Sequence, residues 1–201
     1  MSNQEKAGRI RLFISLPVPE PVRVEVEKLQ KELRKLTPGG GARWVRPDQV
    51  HLTLKFLGDV DSDQTGPLVE AVREACQGFA PLKLRAMQVG FFPGEHRPRV
   101  LWVGISGATE ELRSLQQAVE VAALGFGESD EDREFAAHLT LARTRDVRPA
   151  EIRAVVDRVR QMARRKFGEW VAAKIEVMKS ELHPEGSRHT CLAEIPLAGA
   201  G

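Results

Sequence analysis

The tetrapeptide His-Leu-Thr-Leu occurs twice in this chain, at residues 51–54 and at residues 138–141. In a chain of this length and average composition, one given tetrapeptide of this kind is expected in only about a few chains per thousand. On a β-strand, successive side chains point to opposite faces, so each copy presents its His and Thr on one face and its two leucines on the other. The repeat therefore predicts two strands with the same polar face, each anchored in a core by its leucines.

The rest of the chain alternates between strand patterns and helix patterns. The predicted strands are residues 10–16, 50–57, 81–89, 99–105, 135–142, 171–177 and 189–196. Apolar residues at helical spacing begin near Pro21, Leu68, Leu112 and Pro149. Because several strands adjoin without an intervening helix and alternate instead of being apolar throughout, we expect an α+β fold with antiparallel sheets. A doubly wound parallel sheet is disfavoured for the same reason.

Length and composition fit one cytoplasmic domain. A chain of 201 residues can bury a substantial core, and we expect residues 1–201 to form a single two-lobed domain with a cleft. The formal charge of +2 permits a nucleic-acid substrate, although a dedicated duplex binder usually carries a larger basic excess. Cys76 and Cys191 lack CxxC spacing, which predicts reduced thiols. Residues 1–8 are polar and expected to be flexible, and no long apolar run follows them, so neither a signal sequence nor a membrane span is predicted.

Each motif pairs one proton-transfer group with one hydroxyl donor. A lone histidine on a strand is usually a surface or core residue, and a strand threonine often reflects β propensity alone. Two copies in matching strand contexts favour a shared role. If two lobes bring the strands together, His51 and His138 would face a central phosphate and Thr53 and Thr140 would bind its oxygens. One imidazole could then take a proton from water while the other gives a proton to the leaving oxygen.

No metal-binding pattern accompanies either histidine. The sequence has no HExxH and no HxH pair, and no carboxylate lies within two residues of His51 or His138. The glycine run at residues 39–41 lacks the GxxxxGK[ST] pattern of a phosphate-binding loop. We therefore expect neither a metal ion nor another cofactor.

Further residues could contact a substrate in the predicted cleft. Lys55 shares the expected strand face of His51 and Thr53 and could supply positive charge. Phe13, Trp44 and Trp102 could stack on a nucleobase, although buried packing is the more usual role of such residues.

The sequence resembles the 2H phosphoesterase superfamily, and within it the RNA 2′,3′-cyclic phosphodiesterases, also called 2′-5′ RNA ligases. Besides the two motifs, the resemblance rests on segments spread over nearly the whole chain. These segments are residues 11–14 (RLFI), 43–45 (RWV), 55–58 (KFLG), 92–93 (FP), 99–102 (RVLW) and 142–143 (AR). The resemblance implies a two-lobed α+β fold of approximate two-fold symmetry, with antiparallel sheets flanking a central cleft.

The resemblance also implies roles for individual residues. His51 corresponds to the proton donor, His138 to the proton acceptor, and Thr53 and Thr140 to the phosphate-binding threonines. Arg143 resembles the arginine that often ends the second motif, yet strict alternation points it away from His138, so a surface role is an equal alternative. This sequence departs from the family pattern at Ala137, where proline is common, and near His189, where tyrosine is common.

The implied activity is hydrolysis of RNA 2′,3′-cyclic phosphate ends to 2′-phosphomonoesters, with reversible 2′-5′ RNA ligation as a related activity. The expected partners are RNA with such ends or small cyclic nucleotides, and the expected state is a monomer. The same motifs are compatible with action on 2′-5′ oligonucleotides or on cyclic phosphates of ADP-ribose. A module that binds RNA ends without turnover is a further alternative, although binding does not require two titratable groups in symmetric positions.

Overall fold

The computed structural model describes residues 8–127, 134–183 and 186–199. Within them, the strands are β1 (Arg9–Pro17), β2 (Arg43–Trp44), β3 (His51–Asp61), β4 (Leu82–Phe92), β5 (Val100–Gly107), β6 (His138–Arg143), β7 (Lys166–Ala172), β8 (Lys174–His183) and β9 (Gly186–Pro196). The α-helices are α1 (Glu20–Arg34), α2 (Thr65–Cys76), α3 (Thr109–Ala122) and α4 (Pro149–Arg160). We predicted that residues 1–8 are flexible, and residues 1–7 of this segment lie outside the described residues.

The strands form one antiparallel sheet in two wings. Its order is β7-β4-β5-β6-β3-β1-β8-β9, and β2 pairs with the outer part of β6. The first wing comprises β3, β1, β8 and β9, and the second wing comprises β6, β5, β4 and β7. A single residue pair, Leu52 with Leu139, joins β3 to β6 between them. The predicted α+β class with antiparallel pairing is confirmed, and the expected separate sheets are the two wings of one sheet.

Each helix packs its apolar face against one wing of the sheet. Helix α1 buries Val22, Val26, Leu29, Gln30 and Leu33. Helix α1 contacts β7 of the second wing, and helix α4 contacts β4 of the same wing. Helices α2 and α3 contact each other and pack against β9 and β3 of the first wing. Burying one Val or Leu side chain contributes about 1.5–3 kcal/mol, so these apolar faces hold each helix on its wing. No helix in the described part of the chain is long and apolar enough to cross a bilayer.

Strand β1 differs from the half-buried strand predicted for it. Its central residues, Leu12 to Leu16, are all buried, so both faces are covered. On the face predicted to be polar, the ring of Phe13 is covered by the rings of His51 and His189.

A β-bulge follows each His-Leu-Thr motif and reverses the alternation there. In β3, Thr53 pairs with Ser15 and Lys55 pairs with Ile14, so Leu54 is the extra residue. In β6, Thr140 pairs with Trp102 and Ala142 pairs with Leu101, so Leu141 is the extra residue. A bulge leaves two successive side chains on one face. Leu54 and Lys55 are accordingly both buried, as are Leu141 and Ala142.

The expectation that Lys55 shares the face of His51 is therefore wrong. The bulge turns Lys55 toward α3, where its side chain is 6% exposed and its ammonium pairs with the carboxylate of Glu120. The next residue, Phe56, takes the place predicted for Lys55 and is 52% exposed. The corresponding shift in β6 turns Arg143 to the face of His138 and Thr140, contrary to strict alternation.

Candidate active site

A cleft of about 820 Å³ lies along the polar face where β3 and β6 meet. Its lining includes Phe13, His51, Thr53, Thr140 and Arg143, all of which the sequence singled out. His138 does not line this cavity, and lies two residues before Thr140 at the start of β6. The structure thus brings three of the four polar motif residues into one cleft, His51, Thr53 and Thr140, while His138 lies outside its lining.

His51 is held in one orientation by backbone and aromatic contacts. Its Nδ1 lies 2.7 Å from the carbonyl oxygen of Gln49, so in the neutral ring Nδ1–H donates and Nε2 remains free. Its ring stacks on Phe13 and meets His189 edge-on, with centroids 5.3 Å apart. These contacts fix the ring plane as well as the tautomer.

His138 repeats the same backbone contact in the second motif. Its Nδ1 lies 2.7 Å from the carbonyl oxygen of Ala136, again two residues earlier in the chain. Its ring meets the ring of Phe92 edge-on at 4.9 Å. Both motif histidines therefore keep Nε2 free as the atom that can exchange a proton. A carbonyl contact that fixes the tautomer is the usual way to commit one imidazole nitrogen to chemistry.

Burial sets the protonation state of both histidines in the absence of substrate. Burial lowers the pKa of His51 to about 4, against a smaller upward effect of the bond to Gln49. Burial also lowers the pKa of His138, and the bond to Ala136 opposes it. Both imidazoles are therefore neutral at pH 7. Positive charge on His189, and then on His138, lowers the pKa of His51 further, so protonation of either ring disfavours protonation of His51.

The cleft is strongly basic although the chain as a whole is nearly neutral. Arg11, Arg43, Arg46 and Arg143 line it, and no carboxylate is among its described lining residues. Arg46 is compensated by Asp48 at 2.7 Å. Guanidinium groups suit anionic phosphates because they donate several hydrogen bonds in a fixed plane. The cleft is therefore suited to a phosphate-bearing ligand.

A comparison with known families supports that interpretation of the cleft. A family model described as LigT-like phosphoesterase matches residues 16–102 and, as a second copy, residues 103–189. The chain belongs to this family. Each copy contains one His-Leu-Thr-Leu motif, so the tetrapeptide repeat reflects a repeat of the whole unit.

Named relatives of this phosphoesterase span almost its full length. An Archaeoglobus fulgidus protein named RNA 2′,3′-cyclic phosphodiesterase is 33% identical over 178 residues, covering 88% of this chain and 94% of the relative. A Thermus thermophilus protein of the same name is 30% identical, covering 94% and 91%.

Solved structures share the fold. The crystal structure of TT0787 of Thermus thermophilus superposes with a TM-score of 0.78 at 29% identity, covering 96% of this chain and all of that one. E. coli LigT complexed with NADP⁺ gives a TM-score of 0.70 at 21% identity, covering 94% and 99%.

The aromatic residues that the sequence proposed for base stacking take different positions in this phosphoesterase. Phe13 is only 2% exposed, and Trp44 lines the cleft with the guanidinium of Arg34 over its ring. Trp102 packs on Phe92 outside the cavity, where a Cβ on Gly90 would lie 2.4 Å from its ring. Phe13 and Trp44 therefore shape the cleft, and Trp102 contacts Phe92, whose ring also meets His138.

Several lining residues were missed from the sequence. They are Arg11, Arg43, Arg46, Gln49, Phe56, Ser180, Leu182, His183 and Ser187. His189 was named only as a departure from the family pattern, and it also lines the cleft. The strand period of β1 already placed Arg11 on the face of Phe13, so that signal was available. The residues of β8 and β9 were not predictable, because only the sheet order brings those strands beside β1.

Proposed function

We propose that this phosphoesterase hydrolyses RNA 2′,3′-cyclic phosphate ends to 2′-phosphomonoesters. The observation that carries the proposal is the matched pair of histidines, each with Nδ1 on a backbone carbonyl. His51 lines a basic cleft together with Thr53, Thr140 and Arg143, and His138 lies two residues before Thr140 on the same strand. The relatives from A. fulgidus and T. thermophilus are named for this substrate.

In the proposed reaction, Nε2 of His138 accepts a proton from water as the water oxygen attacks phosphorus. The bond from phosphorus to O3′ breaks, and Nε2 of His51 donates a proton to O3′. The ribose keeps the phosphate on O2′, and proton exchange with solvent returns both imidazoles to their starting states. The division of roles between the histidines rests on the family resemblance, since the two backbone contacts are alike.

Substrate binding favours the protonated form of His51, which is the form that can act as an acid. With a pKa of about 4, its imidazole is neutral at pH 7 before substrate binds. A phosphodiester anion beside the ring favours the imidazolium and raises its pKa. Thr53, Thr140 and Arg143 would hold the non-bridging oxygens, so that the anion lies beside both rings.

The same groups can catalyse a reversible 2′-5′ ligation. If the 5′-hydroxyl of a second RNA strand replaces water, His138 takes its proton and the 5′ oxygen bonds to phosphorus. The bond from phosphorus to O3′ breaks, His51 protonates O3′, and a 2′-5′ linkage remains. We infer that such ligation accompanies hydrolysis when hydroxyl ends are abundant. We further propose that the enzyme acts as a monomer in the cytoplasm, in keeping with the free thiols of Cys76 and Cys191.

The test is incubation of purified, EDTA-treated protein with a panel of phosphodiesters, with products assigned by phosphorus NMR. The panel comprises RNA ending in a 2′,3′-cyclic phosphate, 2′,3′-cyclic mononucleotides, 2′-5′ oligonucleotides and ADP-ribose 1″,2″-cyclic phosphate. We expect turnover of the RNA and mononucleotide cyclic phosphates to 2′-phosphates. A His138→Ala protein purified identically controls for contaminating nucleases.

Other outcomes of this test are informative. Binding without turnover would favour the RNA-end binding module. Turnover restricted to 2′-5′ or ADP-ribose substrates would reassign the substrate but keep the two-histidine chemistry. Activity that EDTA abolishes and a divalent ion restores would overturn the metal-independent mechanism.

A further inference from the structure

The carbonyl of each bulged leucine accepts a hydrogen bond from a helix glutamine. Nε2 of Gln30 on α1 lies 3.0 Å from the carbonyl oxygen of Leu141. Nε2 of Gln116 on α3 lies 3.4 Å from the carbonyl oxygen of Leu54. A bulge disrupts the regular strand ladder, so its carbonyl needs a partner from outside the strand pair. Each glutamine provides such a partner, and at Leu141 the backbone N–H of Val45 is a second donor to the same carbonyl.

Gln30 is the more deeply buried of the two and uses both of its amide hydrogens. Its side chain is 1% exposed, and Nε2 also donates to the carbonyl oxygen of Val45 at 2.8 Å. The backbone N–H of Val45 itself donates to Leu141 at 2.9 Å. Gln30 therefore ties the bulge of β6 to the segment that follows β2. Val45 lines the cleft, so this tie sits directly behind it.

The contacts cross between the two halves of the chain. Helix α1 follows β1 in the first family repeat, yet its Gln30 supports the motif of His138. Helix α3 follows β5 in the second repeat, and its Gln116 supports the motif of His51. Gln116 also donates to Glu120, whose other carboxylate oxygen holds Lys55. Each half thus braces the bulge of the other half.

The bulge decides which side chain enters the cleft. With Leu141 and Ala142 both turned to the core, Arg143 points to the face of Thr140 and lines the cavity. A regular strand would instead turn Ala142 to the cleft and Arg143 away from it. Holding the bulge therefore amounts to holding the guanidinium of Arg143 where the substrate phosphate is proposed to bind.

We propose that Gln30 and Gln116 are positioning residues, and that Gln30 keeps Arg143 in the cleft by holding the bulge at Leu141. Gln116 holds the bulge at Leu54 and with it Phe56. One test of this proposal measures turnover and so rests on the proposed phosphoesterase function. A second test measures only the binding of a phosphate-bearing ligand. Neither glutamine touches the substrate.

The experiment is a double-mutant cycle with Gln30→Met and Arg143→Ala. Methionine keeps the length of the glutamine side chain but offers no N–H to Leu141 and Val45. With a 2′,3′-cyclic mononucleotide as substrate, both Gln30→Met and Arg143→Ala should lower kcat/KM. The share of the loss that lies in kcat and the share that lies in KM should be the same for the two variants. In the Arg143→Ala background, Gln30→Met should change kcat/KM less than about twofold, the usual error of additivity between uncoupled sites. The cycle is repeated on the dissociation constant of 2′-AMP, which needs no turnover.

Gln116→Met is the matched control and the second variant. It should combine additively with Arg143→Ala and be non-additive with Phe56→Ala. Because Gln116 is only partly buried, this variant tests the proposal even if Gln30→Met does not fold. Equal losses from Gln30→Met in both backgrounds, or additivity of Gln116→Met with Phe56→Ala, would overturn the positioning roles. If the unmodified protein binds 2′-AMP but turns over no cyclic phosphate, the proposed function fails while the binding cycle still decides the positioning roles.

Discussion

The imidazole of His51 stacks on the phenyl ring of Phe13, with centroids 4.7 Å apart and 26° between the planes. Phe13 is buried in β1 and also contacts His189 and Phe56. An aromatic face of this kind restricts the imidazole to one plane and shields it from water. Among the described residues, Phe92 is the one aromatic ring that His138 contacts, and the two rings meet edge-on. The two histidines therefore share a tautomer but differ in how tightly they are enclosed.

Phe13→Leu should impair His51 selectively. Leucine fills part of the space but offers no flat face, so the imidazole gains freedom and hydration. We expect kcat to fall by about 10-fold or more, in line with the sensitivity of catalysis to small misplacements. The pKa of His51 should rise toward its ordinary value, because burial is the main cause of its depression. Proton NMR of the imidazole resonances measures this pKa. Phe92→Leu is the control and should leave the His51 resonance in place.

His51→Ala and His138→Ala should each reduce kcat by roughly 10²-fold or more, the usual loss on removing a general acid or base. A phosphodiester with a nitrophenolate leaving group needs little protonation, so it should largely rescue His51→Ala and leave His138→Ala impaired. Steady-state kinetics on both substrates provide the measurement. Rescue of His138→Ala instead would reverse the two roles, and full activity of either variant on the natural substrate would exclude an acid and base pair.

The pH optimum of kcat should lie above that of kcat/KM. Both profiles should be bell-shaped, since His51 must be protonated and His138 neutral. In the free enzyme, burial lowers the pKa of both histidines, so both limbs of kcat/KM should lie below pH 6.5. In the complex, the phosphate anion favours the imidazolium form and raises each pKa, which moves both limbs of kcat to higher pH. Coincident optima for the two parameters would show that the bound phosphate does not act on the histidines.

Thr53→Ala and Thr140→Ala should cost less than loss of either histidine. A neutral hydroxyl typically contributes about 0.5–1.5 kcal/mol, which corresponds to roughly 2-fold to 12-fold in kcat/KM. Thr53→Ser and Thr140→Ser keep the hydroxyl and should retain most of the activity. A serine variant as impaired as its alanine counterpart would mean that the threonine methyl packing matters, and not the hydroxyl.

Lys55→Met and Arg143→Met should separate stability from activity. Lys55 is buried against Glu120, so Lys55→Met should change the midpoint of thermal unfolding while kcat/KM stays within about threefold, a bound drawn from its lack of access to the cleft. Arg143 is exposed in the cleft, and Arg143→Met should lower kcat/KM by about 10-fold to 100-fold. That range corresponds to about 1.5–3 kcal/mol for a hydrogen bond to a charged group. A large kinetic loss in Lys55→Met with unchanged unfolding would contradict this division.

The sequence predicted the site as far as strand alternation holds. His51, Thr53 and Thr140 line the cleft together because only two-residue spacing is needed to place His and Thr on one face. Beyond the second leucine of each motif, the bulges reverse the faces, so strand alternation misplaces Lys55 and does not decide the orientation of Arg143. A bulge depends on register between strands far apart in the chain, so no local pattern reveals it.

The remaining lining residues depend on topology. Ser180 reaches the cleft because β8 pairs with β1, and Ser187 and His189 reach it because β9 in turn pairs with β8. The order of strands that are distant in sequence follows from how the wings close, and alternation within one strand carries no information on its neighbours. The presence of His189 beside His51 thus became visible only in three dimensions.

The crossed support of the two motifs bears on how such a chain could arise. A half-length ancestor with one His-Leu-Thr-Leu motif would carry a glutamine that faces the motif of another copy and not its own. Strand β4 of the first repeat likewise lies in the wing built around the second motif, and β8 of the second repeat lies in the wing built around the first. With the contacts seen here, such an ancestor would complete its motif as a pair of identical subunits that exchanged a helix and a strand. Fusion of the two copies into one chain would make that exchange permanent, and it leaves each half free to diverge, as Lys55 and Ala142 have done.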